Sequence, residues 1–176
     1  MTGKTFMNAV GNGETDILQI FLGILEKTRS AYCIIGGLGV NAYVEPVVSL
    51  DLDIIVAMED VEDVCKAAKR KGLRVEKFEH SVNLTSPKSD LRVQLQTDVR
   101  YQEFIFRSRT KQVLGYRMKV ANIEDVLQGK IWAFMDEQRR RSKRQKDLAD
   151  IMRLVEAYPE LKGRIPISVK RELKLK

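Results

Sequence analysis

Asp51 and Asp53 stand one residue apart between Leu50, Leu52, Ile54 and Ile55. Side chains of a strand alternate faces, so both carboxylates leave one face while Leu52 and Ile54 enter a core. Two adjacent carboxylates suit a hard divalent cation such as Mg²⁺, which also takes phosphate oxygens. Upstream, Gly36 and Gly37 follow an apolar run over residues 31–35. Glycine lets the backbone approach a ligand closely, and backbone N–H groups ahead of a helix attract phosphate. A phosphate cradle beside metal-binding carboxylates spells nucleotide chemistry. The plain alternative is an acidic, solvated edge strand, but aspartate is disfavoured inside strands and two of them here need a reason.

The elements that must position these groups follow from periodicity and punctuation. Residues 1–12, with Gly3 and Gly11, show little periodicity and read as mobile. Glu14, Thr15 and Asp16 then lead into a helix to about residue 28, whose apolar face is Ile17, Ile20, Phe21 and Ile24. Residues 31–35 read as a buried strand, 38–43 as a short helix ended before Pro46, and 52–56 as the strand carrying the acids. Asp60 caps a helix to about residue 71, closed by Gly72. Further strands are expected at 73–78, 82–85, 91–97, 104–107 and 116–120, with Pro87 in a turn. Asn122 caps a helix to about 134, and a long helix over 136–157 stops before Pro159. The tail from Lys162 is basic and reads as loosely packed.

Gly36-Gly37 followed by Asp51-x-Asp53 resembles the signature of the polymerase-β-like nucleotidyltransferase superfamily. Residues 120–130, ending in Gly129-Lys130, and the later Lys146-Asp147 with Asp150 are similar to the C-terminal helices of its minimal, abortive-infection-toxin-like branch. The resemblance covers residues 30–156. It implies an α+β fold: a mixed sheet with flanking helices and a C-terminal helical pair. One domain is expected, with a core over about 14–120, helices over 122–158 and a basic tail over 162–176. It also implies two-metal phosphoryl transfer with Mg²⁺ and an NTP substrate, one ion activating the attacking hydroxyl and the other holding the triphosphate.

Under that resemblance Asp51 and Asp53 are the catalytic and metal-binding pair. Gly36, Gly37, Ser49, Lys130 and Lys146 are the expected nucleotide contacts. For Ser49 a plain strand-start role weighs equally. Val47 stands where many relatives carry arginine, so one phosphate contact is absent. Active relatives place a third carboxylate on a neighbouring strand. In the matching strand the metal-facing positions are Arg92, Gln94 and Gln96, none acidic. Asp98 and Asp90 share their parity at the two ends. A glutamine carbonyl can ligate a cation but cannot accept a proton. Either Asp98 or Asp90 substitutes, or the metal activates the hydroxyl unaided, or the protein binds without turnover. Asp147 and Asp150 are equally suited to fix Lys130 or an arginine by ion pairing.

The chain has 176 residues and a net charge of +7, which favours a polyanionic partner. Arg139, Arg140, Arg141, Lys143, Arg144 and Lys146 crowd six cations into eight residues. That run is either a solvated helix face or a contact for RNA phosphates. His80 reads as surface structure, and Cys33 and Cys65 as buried free thiols of a reducing cytoplasm. No apolar run reaches membrane-spanning length, and no signal peptide is expected. The leading expectation is a cytoplasmic Mg²⁺-dependent nucleotidyltransferase acting on an RNA, protein or small-molecule hydroxyl, with an antitoxin protein as a further partner. The alternative is a binding module of the same fold.

Overall fold

The computed structural model describes residues 3–11 and 15–175; Glu14 and its expected helix-entry role lie outside them. A seven-stranded mixed sheet runs through the chain in the order β3-β4-β5-β2-β1-β7-β6. Its strands are β1 (Tyr32–Ile34), β2 (Asp51–Val56), β3 (Arg74–Lys77), β4 (Ser81–Ser86), β5 (Ser89–Gln96), β6 (Arg109–Val113) and β7 (Tyr116–Val120). The helices are α1 (Gly3–Val10), α2 (Ile17–Thr28), α3 (Gly36–Val40), α4 (Val61–Arg70), α5 (Ile123–Met135), α6 (Arg141–Ala157) and α7 (Ile167–Glu172). The α+β architecture expected from the sequence is present.

Strand alternation builds two cores, one on each face of the sheet. Leu52, Ile54, Val56, Val93 and Leu95 pack with α2 and α4 on one side. Cys33 and Ile55 pack with α3, α5, α6 and the C-terminal segment on the other. β2 and β5 are parallel neighbours, with Asp51 opposite Arg92 and Asp53 opposite Gln94. The Asp pair therefore opens on the α3–α5–α6 side. Asn122 caps α5 by accepting from the Asp125 N–H at 2.8 Å. Both cysteines are buried and free. Among the described residues no helix is long and apolar enough to cross a membrane.

Several local expectations are corrected. Residues 3–10 form a helix, with Lys4 donating to Gln19 at 2.8 Å. Residues 104–107 are not a strand: Val99–Ile105 is a 3₁₀ helix, and its N-cap Asp98 accepts from the Arg100 N–H at 2.9 Å. β6 replaces that strand; Leu114 (φ 51°) and Gly115 (φ 84°) form the tight turn that joins it to β7. The last long helix begins at Arg141 rather than 136, because the Asp136 side chain accepts from the Gln138 N–H and holds a turn there. The basic tail is packed, since Leu161, Ile165, Val169 and Leu173 are buried at four-residue spacing in the second core.

Candidate active site

Gly36 and Asp53 define the floor of the site. Gly36 takes a left-handed conformation at φ +63°, and a Cβ there would come 2.0 Å from Asp53 Oδ2. Only glycine combines that backbone with that approach. Gly37 faces the buried Ser49, whose hydroxyl donates to the Asp51 carbonyl at 3.2 Å. The glycine pair thus lets the start of α3 press against β2. Ser49 braces the entry to the acidic strand.

The two aspartates have different surroundings. Asp51 is closed by two cations of the chain. Arg92 donates Nε at 3.1 Å and Nη2 at 2.8 Å to Oδ1, and Lys143 donates Nζ at 2.7 Å to Oδ2. Burial alone would push the Asp51 carboxyl up, but the Lys143 hydrogen bond and the Arg92 charge outweigh it and hold its pKa below the ordinary value. No hydrogen bond or ion pair closes the Asp53 carboxylate among the described residues. Protein surrounds it except where it meets the cavity, and burial pushes its pKa up despite the field of Lys130.

Lys130 is the third centre. It is buried on α5, with Nζ 2.9 Å from Asp147 Oδ1 and 2.7 Å from Asp150 Oδ2. Arg139 holds the other Asp147 oxygen at 2.7 Å, and Arg153 the other Asp150 oxygen at 2.7 Å. Burial pulls the Lys130 pKa down, but the two carboxylates outweigh it and hold it above the ordinary lysine value. An ammonium has three N–H donors. One bonds Asp147 Oδ1, while Asp150 Oδ2 faces the ammonium as an ion pair.

These groups converge. A cavity of about 80 Å³ is lined by Gly36, Asp53, Gln94, Lys130, Arg139 and Tyr101, among others. Gln96, Tyr101, Ala133 and Arg139 also line a wider groove of about 470 Å³, which continues to Trp132 and Arg100. Trp132 stacks on Phe104 with centroids 5.7 Å apart, and the Arg100 guanidinium lies 5.1 Å from the Trp132 centroid. Burial pushes the Tyr101 phenol up to about 12, so it remains a hydrogen-bond donor at neutral pH.

Other candidates lie elsewhere. Asp98 pairs with Arg100 at 2.7 Å and lines the wider groove, not the cavity. Asp90 is exposed, with its N–H bonded to the Gly11 carbonyl at 2.7 Å. Lys146 is exposed and does not line the cavity. The basic run divides: Arg139, Lys143 and Arg144 turn inward, Arg144 onto the Phe134 carbonyl at 2.7 Å, while Arg140 and Arg141 are exposed. Sequence reasoning missed Tyr101, Trp132 and the partnership of Lys143 with Asp51. For Tyr101 a signal existed, since Asp98 caps a helical turn in which Tyr101 and Phe104 share a face. For Lys143 there was none, because it lies 92 positions from Asp51.

Two carboxylates on one face, one of them without a partner, fit one divalent ion that takes its remaining ligands from nucleotide phosphates and water. On the neighbouring strand Gln94, not a carboxylate, stands opposite Asp53; Asp147 also lines the cavity but is paired with Lys130 and Arg139, and among the described residues no cluster of three His, Cys, Asp or Glu side chains forms a metal site.

Residues 41–168 match the family described as "Nucleotidyl transferase AbiEii toxin, Type IV TA system". No curated protein matches in sequence at a significant level. Among solved structures, the antibiotic-resistance factor ANT(2″)-Ia superposes with a TM-score of 0.59 at 10% identity, over 84% of this chain and 90% of that one. The lincosamide antibiotic adenylyltransferase LnuA, bound to lincomycin, gives 0.57 at 12% identity over 81% and 98%. A nucleotidyltransferase-like protein from Paracoccidioides brasiliensis gives 0.50 at 19% over 79% and 74%. At such identities the likeness establishes the fold alone.

Proposed function

We propose, for a chain that belongs to the AbiEii nucleotidyl transferase toxin family, that the cavity at Asp53 binds the phosphates of an NTP and transfers its nucleoside monophosphate to a hydroxyl. The observation that carries this reading is the open Asp53 carboxylate facing a buried Lys130 across a cavity floored by Gly36. A cavity of about 80 Å³ has room for reacting phosphates but not for a whole nucleotide, whereas the adjoining groove of about 470 Å³ has the size of a ligand site. The nucleoside or the acceptor occupies that groove against Tyr101 and Trp132.

In this reading Asp53, with Asp51 beside it, holds Mg²⁺. When bound, the ion offsets charge on the phosphates and lowers the pKa of the attacking hydroxyl. Lys130 directs an N–H donor at the outer phosphates and Tyr101 donates from the groove. The acceptor oxygen bonds to the α-phosphorus, the bond to the β-phosphate side breaks and pyrophosphate leaves. Gln94 cannot take the hydroxyl proton, so it passes to water. Arg140 and Arg141, exposed at the start of α6, supply phosphate contacts if the acceptor is RNA. The family's description names a toxin of a Type IV TA system; on this reading the chain acts as such a toxin, with a cognate antitoxin, in the cytoplasm where NTPs and RNA occur.

Gln94 in the register opposite Asp53 favours one rival, a nucleotide-binding module without turnover. Incubation with α-phosphate-labelled NTPs, Mg²⁺ and fractionated cell extract separates the two. Label transferred to RNA, protein or a small molecule supports the transferase and identifies its acceptor. Tight NTP binding without transfer supports the module.

A further inference from the structure

Lys143 occupies an odd position. It lies in the first turn of the 17-residue α6, where the helix dipole disfavours cations. Arg140, Arg141 and Arg144 crowd the same end, which has no acidic residue in its first turn and no side-chain cap. Local stability gives no reason for this cluster. The reason is tertiary, because Lys143 Nζ reaches Asp51 Oδ2 at 2.7 Å while Arg92 takes Oδ1. A helix start that breaks its own local preferences in order to reach a site marks a functional placement.

Charge and geometry fit together. Both Asp51 oxygens already accept from N–H donors, so a cation seated there would compete with Arg92 and Lys143 for the carboxylate and meet their positive charge. The neighbouring strand offers Arg92 and Gln94 in register with the two aspartates, hence no further negative charge to hold a second divalent ion. Two fixed positive charges already face Asp51, and they would repel one. Of the two aspartates, Asp53 is the one that no described residue closes.

We infer that Lys143 is a built-in counter-ion standing where a second divalent cation would sit, so that this chain works with a single ion held at Asp53. The inference rests on the nucleotide-transfer reading above and goes beyond it in assigning Lys143 a positioning role. Together with Arg92, the ammonium fixes the Asp51 carboxylate beside Asp53.

The test counts bound Mn²⁺ by electron paramagnetic resonance, with a non-hydrolysable NTP analogue present and absent, in wild type, Lys143→Ala, Lys143→Gln and Lys143→Arg. Thermal melts confirm that each variant folds. The expected wild-type count is one ion per chain with the analogue. Lys143→Ala and Lys143→Gln should open Asp51, raising the count toward two or tightening Mn²⁺ binding about tenfold or more, as removal of a nearby like charge does. Lys143→Arg should behave as wild type. Two ions in wild type, or an unchanged count and affinity in both neutral variants, overturns the counter-ion role and leaves the transferase reading standing. No Mn²⁺ and no analogue bound by wild type overturns both together.

Discussion

Asp51 and Asp53 look interchangeable in the sequence, yet the structure predicts opposite effects of neutralising them. Asp51→Asn removes the charge that Arg92 and Lys143 close upon. Charge-assisted bonds contribute about 1.5–3 kcal/mol when buried, but exposed pairs contribute only about 0–1. The Arg92 and Lys143 side chains are 38% and 33% exposed, so a combined loss of about 1–2 kcal/mol is expected. In a chain of this size that lowers the melting temperature by roughly 2–8 °C. Asp53→Asn removes an unpartnered carboxylate from an enclosed site and should raise the melting temperature in metal-free buffer, by about 2–4 °C for each kcal/mol relieved. The pH dependence has opposite signs too. The folded pKa of Asp51 is lowered, so its contribution is present above its unfolded pKa and is lost as pH falls through the folded one. That of Asp53 is raised, so its contribution is present below the unfolded pKa and is lost as pH rises through the folded one. The gap between Asp53→Asn and wild type should therefore widen from acid toward neutral pH, and the gap between wild type and Asp51→Asn should close in acid. Calorimetric melts in chelator-treated buffer from pH 3 to 8 read both. Equal shifts of the same sign would refute the reasoning that one carboxylate is paired and the other open.

Lys130→Met should destabilise the chain by about 2–3 kcal/mol, below the 3–5 typical of a broken buried pair, because Asp147 keeps Arg139 and Asp150 keeps Arg153. The same variant should weaken triphosphate binding more than monophosphate binding; equal losses by calorimetry would place Lys130 in the scaffold only. Gly36→Ala puts a Cβ 2.0 Å from Asp53 Oδ2 at positive φ, so it should lose nucleotide binding and melt lower, and an unchanged melt would count against the cradle. Replacing Arg140 and Arg141 with Gln should leave NTP affinity unchanged while weakening RNA binding and flattening its salt dependence by about 0.7–0.9 for each phosphate no longer neutralised.

What could be read locally was legible in the sequence. The parity of Asp51 and Asp53, the alternation along β5 and the Asn122 cap are all short-range signals, and the sheet and the C-terminal helices follow from them. Where the reading failed, the deciding contacts were long-range or disguised. β6 carries Arg109, Thr110, Lys111 and Gln112, so it shows no apolar alternation; only its pairing with β7 makes it a strand. The tail looked loose because lysines and arginines surround Leu161, Ile165, Val169 and Leu173, yet their four-residue spacing buries them against α5 and α6. At the site, the sequence showed which residues share a face and offered Asp147 and Asp150 as ion-pair partners of Lys130 or an arginine, which the structure bears out, but not which cations close onto Asp51. Arg92 and Lys143 lie on elements that meet Asp51 only in three dimensions.

The central claim is that an NTP is cleaved between its α- and β-phosphates at Asp53. The most direct measurement is Mg²⁺-dependent pyrophosphate release by wild type and Asp53→Asn, side by side, with each NTP and a cell extract as acceptor source. The account predicts release by wild type with at least one NTP and a loss of about a hundredfold or more in Asp53→Asn, the scale at which an essential electrostatic group acts. Release at the same rate by the folded Asp53→Asn variant would contradict it.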